Sequence, residues 1–213
     1  MMTRKIFHPS YFGPIDQYVS LHEEDEIILE KLDNYQKQTY RTRQYIYGAN
    51  GSLLLNIPIK HRKGVHKRQH YKDVKIENDF KWQQLHWRSI ETAYRTSPFF
   101  EFYEDDFIGL YEKTADYLYD FNVQCTETVL DALGLPIDFK LTDDFMKSYD
   151  DNDQIIDERR FAVSKREAFY ELKKYNQVFQ DKYGYIENLT ILDLLFNLGP
   201  SAQSYLSEVA AAQ

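Results

Sequence analysis

The sequence predicts an α/β or α+β chain, with an N-terminal βαβ unit and a small mixed sheet covered by several C-terminal helices. Three observations carry this. Ile27-Ile28-Leu29 is an unbroken apolar run, which suits a strand buried on both faces, as parallel pairing requires. A short strand and a Pro-containing turn precede it, so the two strands are joined through a helical crossover. From Phe80 to Leu133 the apolar residues recur at intervals of three and four, the period of helices that bury one face.

The elements follow in order. Lys5 to His8 makes the first strand and Pro9 ends it; Pro14 suits the first turn of a helix running to about His22, with Ile15, Tyr18, Val19 and Leu21 inward. Glu26 to Leu32 is the second strand. The carboxyl ends of the two strands then bring His8–Tyr11 and Glu30–Tyr35 together, where chemistry sits in open parallel sheets. Residues 34–43 read as a loop entering a strand at Gln44–Tyr47, stopped by the turn Gly48-Ala49-Asn50-Gly51. Ser52 to Ile59 is a strand whose Pro58 marks an edge, a bulge or its end. A basic loop holding Lys60, Arg62, Lys63, Lys67, Arg68 and Lys72 leads to a strand at Asp73–Glu77.

Asp79 can cap a helix from Phe80 to Arg95, and Ser97-Pro98 stops it and starts another as N-cap and first helical residue. Phe99, Phe100, Phe102, Tyr103 and Phe107 then read as core, and the stripe Leu118, Phe121, Cys125, Val129, Leu133 runs to Gly134 and Pro136. Ile137 to Leu141 is a last strand. The acidic and then basic run 142–166 reads as a solvated, mobile loop, and Phe169 to Phe179 as helical or mixed. A short apolar helix ends at Gly199-Pro200, and a final helix covers Ser201–Ala211.

A chain of 213 residues forms one good-sized domain and needs no staples for a core. With 26 Lys and Arg against 34 Asp and Glu, a formal charge of −8, it is no general binder of nucleic acid or anionic membranes. An anionic ligand must meet a local basic site. The single cysteine excludes an internal disulfide and a cysteine-based zinc site and suits a reducing compartment. No apolar run approaches a membrane span, and the N-terminus meets prolines too soon for a signal peptide, so a cytoplasmic protein is expected.

The local basic site is sought at Asn34 to Tyr47, where Lys37, Arg41 and Arg43 lie among Tyr35, Tyr40, Tyr45 and Tyr47. Two readings fit it: an anion site, or cationic stems covering aromatic rings on a half-buried surface. His61, His66 and His70 lie in a Lys- and Arg-rich loop without a nearby carboxylate before Asp73, which disfavours a metal; a lid over phosphates or a solvated loop suits it better. His86 sits beside a helical stripe, as a packing residue or at a cleft edge. No Walker loop, Gly-x-Gly-x-x-Gly, Gly-x-Ser-x-Gly or histidine-acid zinc signature occurs in the sequence.

Lys37-Gln-Thr-Tyr-Arg-Thr-Arg resembles a basic-aromatic motif of the WbqC-like protein family, bacterial proteins associated with O-antigen and other surface-polysaccharide gene clusters. Pro9 and Tyr11, Leu55-Asn-Ile-Pro-Ile, Asp73-Val-Lys-Ile, Leu85-His-Trp-Arg-Ser-Ile, Ala93-Tyr, Pro98-Phe-Phe and Ile191-Leu-Asp-Leu-Leu-Phe-Asn-Leu-Gly-Pro extend the resemblance along nearly the whole chain. The chain departs from the family's His-Gln-Pro-Asn-Tyr opening, with Phe7 in the place of its histidine and His8 in the place of its glutamine. The family's paired aspartates after the second strand have no clear match, Glu30 and Asp33 being the nearest carboxylates.

The resemblance implies a transferase acting on a nucleotide-linked sugar, or another phosphorylated small molecule, in surface-glycan biosynthesis. Acyl, aminoacyl and nucleotidyl transfer are the variants, the last because the Pro-containing strand-turn-helix opening is similar at fold level to that of nucleotidylyltransferases. A non-catalytic nucleotide-sugar binder or assembly partner is the alternative. His86 and His8 are the candidate catalytic residues; Tyr11, Glu30, Asn34, Tyr35, Lys37, Tyr40, Arg41, Arg43 and Trp87 are the candidate substrate contacts. A diphosphate would rest on Lys37, Arg41 and Arg43, with Tyr35 or Tyr40 stacking a base or sugar. So aromatic a domain is compatible with a homodimer, though the sequence locates no interface for one, and it assigns no metal and no cofactor.

Overall fold

The computed structural model describes residues 3–21, 26–60, 68–135, 138–149 and 154–212. Strand β1 (Arg4–Phe7), helix α1 (Ile15–Val19) and strand β2 (Glu26–Leu29) form the expected βαβ unit, with parallel pairing from Arg4↔Glu26 to Phe7↔Leu29. Helix α1 stops short of the expected end; His22 lies outside the described residues. Among the described residues, strands β3 (Arg43–Gly48) and β4 (Gly51–Asn56) pair only with each other, as an antiparallel hairpin, so two sheets stand where one mixed sheet was expected. Strand β4 ends before Pro58, which has no amide hydrogen for a ladder.

Helices α2 (Trp82–Tyr94), α3 (Phe100–Glu112) and α4 (Leu118–Ala132) match the helical spacing, with two differences at their ends. Asp79 does not cap α2, and Ser97 Oγ donates to the Tyr94 carbonyl at 2.6 Å, so it closes α2 instead of capping α3. Asp73–Glu77 is not a strand. A 3-10 turn at Tyr71–Asp73 is followed by the single bridges Lys75↔Tyr117 and Ile59↔Ile76, because the segment lies across the helices and meets no neighbouring strand in register.

Strand β5 (Phe139–Leu141) pairs in parallel with β2, and β6 (Ile155–Asp157) pairs in parallel with β1. β6 lies inside the run expected to be a solvated loop. Its three residues are too few for any periodicity to show, and backbone pairing with a buried strand holds them. The segment 169–179, expected to have helical or mixed character, is irregular; α5 (Gln180–Tyr183), α6 (Ile191–Leu198) and α7 (Ser201–Ala211) complete the chain. The parallel sheet has the order β5-β2-β1-β6. The chain leaves β1 toward β2 on one side and places β6 on the other, so the winding reverses between β1 and β6, and this point opens a crevice at their carboxyl ends.

Helix α6 is apolar nearly all round and is buried from Ile191 to Asn197, and Cys125 is buried in the core as expected. Gly199 ends α6 at φ 54°, and a Cβ there would stand 2.5 Å from Phe99 Cγ and 2.6 Å from Cε1. The rigid ring and the left-handed backbone both oppose a side chain. Gly199→Ala is expected to cost about 2–3 kcal/mol, read as a lower urea midpoint at unchanged slope; an unshifted midpoint refutes the packing argument. No helix among the described residues is long and apolar enough to cross a membrane.

Candidate active site

At the carboxyl end of β1 the backbone delivers His8 into the crevice, where it is 4 % exposed. Asp33 follows β2 by four residues and turns back beneath it. Its Oδ2 stands 3.0 Å from His8 Nε2 and 3.0 Å from Arg41 Nη2. Arg41 Nη2 also lies against the His8 ring, 2.8 Å from Nε2 and 3.1 Å from Nδ1, and the Arg159 carbonyl stands 3.4 Å from Nδ1. A carboxylate only accepts, so we assign the tautomer from Asp33: Nε2–H donates to its Oδ2, which leaves Nδ1 unprotonated beside Arg41 Nη2.

Burial, helped by the Arg41 charge, lowers the His8 pKa to about 4 against the pull of Asp33, and the ring is neutral at pH 7. For Asp33, burial works upward, but the hydrogen bond from His8 and the Arg41 charge outweigh it and hold the carboxyl well below the usual range. Arg41 is 1 % exposed, donates through Nη1 to the Asn34 carbonyl at 2.9 Å and lies over the Tyr71 ring. The cluster is a neutral imidazole clamped between a carboxylate and a cation.

Behind it a second layer repeats the chemistry. Glu30, fully buried, accepts from the Leu32 and Asp33 amides and from Thr142 Oγ1, and its Oε2, without a hydrogen bond, faces Arg159 Nη1 at 3.6 Å. Arg159, just past β6, forks onto Asp157 and donates to the Met146 carbonyl. The hydrogen bond from Arg159 outweighs burial and keeps the Asp157 carboxyl low. Four short strands thus converge on one cavity of about 450 Å³, lined by His8, Asp33, Arg41, Asp157, Arg159 and the more open Arg160 and Lys147. Arg160 pairs with the buried Glu158 at 2.9 Å, as Arg159 does with Asp157 and Arg41 with Asp33, so Lys147 is the cation of the lining for which no such pair is seen among the described residues.

The structure brings His8, Glu30, Asn34 and Arg41 together and separates them from the other sequence candidates. Lys37, Tyr35 and Arg43 line a different cavity, because the segment 34–43 turns successive side chains to opposite sides; the three cations do not form one site. Tyr40 packs edge-on against Tyr45 near a third depression. Tyr11 is fully buried and its hydroxyl links His86 Nδ1 and the Tyr111 hydroxyl, both at 2.9 Å. His86 stacks on Tyr11 and meets Trp82 edge-on, and burial lowers its pKa to about 4. Trp87 stacks on Phe100 and tilts against Tyr111. None of Tyr11, His86 and Trp87 lines the His8 cavity. The proposed lid at Lys60–Lys72 falls largely on 61–67, outside the described residues.

Sequence reasoning missed Asp157, Arg159 and Arg160 and took Asp33 only as a nearby carboxylate. The signal was Ile155-Ile156 standing directly before Asp157-Glu158-Arg159-Arg160, an apolar pair that breaks an otherwise polar run.

The profile of the WbqC-like protein family matches residues 8–167. The chain is 25% identical over 205 residues to Uncharacterized protein Rv1507c of Mycobacterium tuberculosis (strain ATCC 25618 / H37Rv), covering 85% of this chain and 87% of that protein. No solved structure matches.

Proposed function

This chain belongs to the WbqC-like protein family, and from that membership and the His8 cluster we propose a transferase of bacterial surface-polysaccharide biosynthesis that acts on a nucleotide-linked sugar in the His8 cavity. The observation that carries the proposal is the buried His8–Asp33–Arg41 cluster at the reversal point of a parallel sheet. A diphosphate entering the cavity pairs with Arg160 and Lys147 and draws Arg41 toward itself. Two things then happen to His8. Its Nδ1 loses the Arg41 donor and becomes free to accept a proton, and the ligand's negative charge offsets the cation that helped lower its pKa.

His8 is then the general base. A sugar hydroxyl or amine attacks the donor's acyl carbon and gives its proton to His8 Nδ1 as the new bond forms; the donor's bond to its leaving group breaks, and that group departs with the electron pair. Asp33 stabilises the imidazolium through Nε2. Glu30 and Arg159 position the strand ends and do not themselves react.

The test is turnover with wild type, His8→Asn and Arg160→Gln, alongside thermal stabilisation by a panel of nucleotide-sugars. One nucleotide-sugar class should stabilise the wild type, by about 2.7 kcal/mol at 100 times its dissociation constant. Arg160→Gln should weaken that binding, whereas His8→Asn should keep it and lose about 10²–10⁴ in rate. Binding without turnover, indifferent to His8, returns the protein to the non-catalytic binder. Binding that ignores Arg160 moves the ligand out of this cavity.

A further inference from the structure

The segment 34–43 is a wall with a cavity on each side. It is held on its ends by main-chain bonds, Tyr35 N to the Gln69 carbonyl and Tyr40 N to the Ala162 carbonyl, both 2.8 Å, and by the Thr39↔Val163 bridge. Gln36 and Arg41 face the His8 cavity, whereas Tyr35, Lys37, Thr42 and Arg43 face a larger one of about 580 Å³. A transferase has two substrates, and the fold provides two cavities back to back.

The second cavity has its own chemistry. Arg43 Nε is buried without a hydrogen-bond partner, and among the described residues no carboxylate lies within ion-pair distance of Arg43 or Lys37. Glu77, the one acid among the described lining residues, is engaged elsewhere: its Oε1 lies 3.9 Å from Lys60 Nζ and accepts from the Asp79 amide at 3.2 Å. An unsatisfied guanidinium nitrogen is costly unless a ligand completes it. Beside the two cations stand the half-buried Tyr35 ring and Phe80, which is 67 % exposed. Ile57 and Ile59 line the cavity as well. Cations beside one open aromatic face, that of Phe80, with the edge of Tyr35 and an apolar wall match a phosphate attached to a planar base.

We infer that this second cavity is a nucleoside-phosphate site, in which Arg43 and Lys37 hold the phosphates and Phe80 offers a face for the base beside the edge of Tyr35. The inference rests on the transferase reading only for the ligand's role as the second substrate; the binding itself stands on the cavity.

The test is isothermal titration with ADP and UDP, with inorganic pyrophosphate and adenosine as separate arms, on wild type, Arg43→Gln, Lys37→Gln, Phe80→Ala and Arg160→Gln. Arg43→Gln should weaken nucleotide and pyrophosphate alike by tenfold or more. Phe80→Ala should weaken the nucleotide by a similar factor and leave pyrophosphate unchanged; this exposed position and Lys37 keep the test valid if the Arg43 variant does not fold. Nucleotide affinities equal to wild type in both Phe80→Ala and Lys37→Gln, or no saturable nucleotide binding by the wild type, overturn the inference. A nucleotide lost only with Arg160→Gln refutes this site and supports the His8 cavity. One lost only with the Arg43 and Phe80 variants does the reverse.

Discussion

Arg41→Ala is expected to be the most destabilising single change in the candidate site, lowering unfolding free energy by about 3–5 kcal/mol. The guanidinium is 1 % exposed and touches the Asp33 carboxylate, His8 Nδ1, the Asn34 carbonyl and the Tyr71 ring. Its removal leaves a partly buried carboxylate short of its cation and a part-buried carbonyl without its donor. The guanidinium is desolvated and its partners are partly so, which is why the change exceeds an ordinary surface ion pair. Urea denaturation should show a lower midpoint at unchanged slope. The double variant Arg41→Ala/Asp33→Asn should recover part of the loss, because the stranded charge is then gone. A loss below about 1 kcal/mol, or none recovered in the double variant, would mean that water replaces the guanidinium and that the pair is not desolvated.

Stability should also fall steeply as pH drops from 6.5 toward 4. His8 and His86 both have folded pKa values near 4, lowered mainly by burial, against 6.5 when unfolded. Between these values the unfolded chain takes up protons that the folded chain refuses, so the stability each contributes is complete above 6.5 and is lost on acidification, roughly 3 kcal/mol apiece. Asp193 runs the other way. Fully buried, its carboxyl is raised to about 6 from 3.8, so its contribution is complete at low pH and lost as pH rises through 6, again roughly 3 kcal/mol.

Two histidines against one aspartic acid leave a net loss of roughly 3–4 kcal/mol on acidification across that window. Asp33, held low by His8 and Arg41, adds its own loss only below its ordinary 3.8. Urea midpoints at pH 7, 5.5 and 4.5 measure the slope, and His8→Asn should flatten it by about one histidine's share. A profile identical in wild type and His8→Asn would show that His8 is already protonated or exposed to water in the folded protein, against the clamped neutral tautomer.

What the sequence determined by itself is what local rules and burial dictate. The run Ile27-Ile28-Leu29 is apolar because this inner parallel strand buries Ile27 and Leu29 on one face and half-buries Ile28 on the other, and the three-and-four spacing from Trp82 to Leu133 is the imprint of helices packed on one side. His8 and Glu30 were placed at adjacent strand ends because βαβ geometry leaves them nowhere else.

Tertiary structure alone decided the rest. Arg41 and Arg43 are two residues apart and alike in chemistry, yet the wall they sit in sends one to the His8 cavity and the other to its neighbour; sequence proximity says nothing about side once a segment is held at both ends. β6 is three residues long in a polar run, and it exists because β1 offers an unpaired edge, a partner 151 positions away at every pair from Arg4↔Ile155 to Ile6↔Asp157. That pairing carries Asp157 and Arg159 to His8. Long-range strand pairing is a property of two segments together, and neither segment spells it alone.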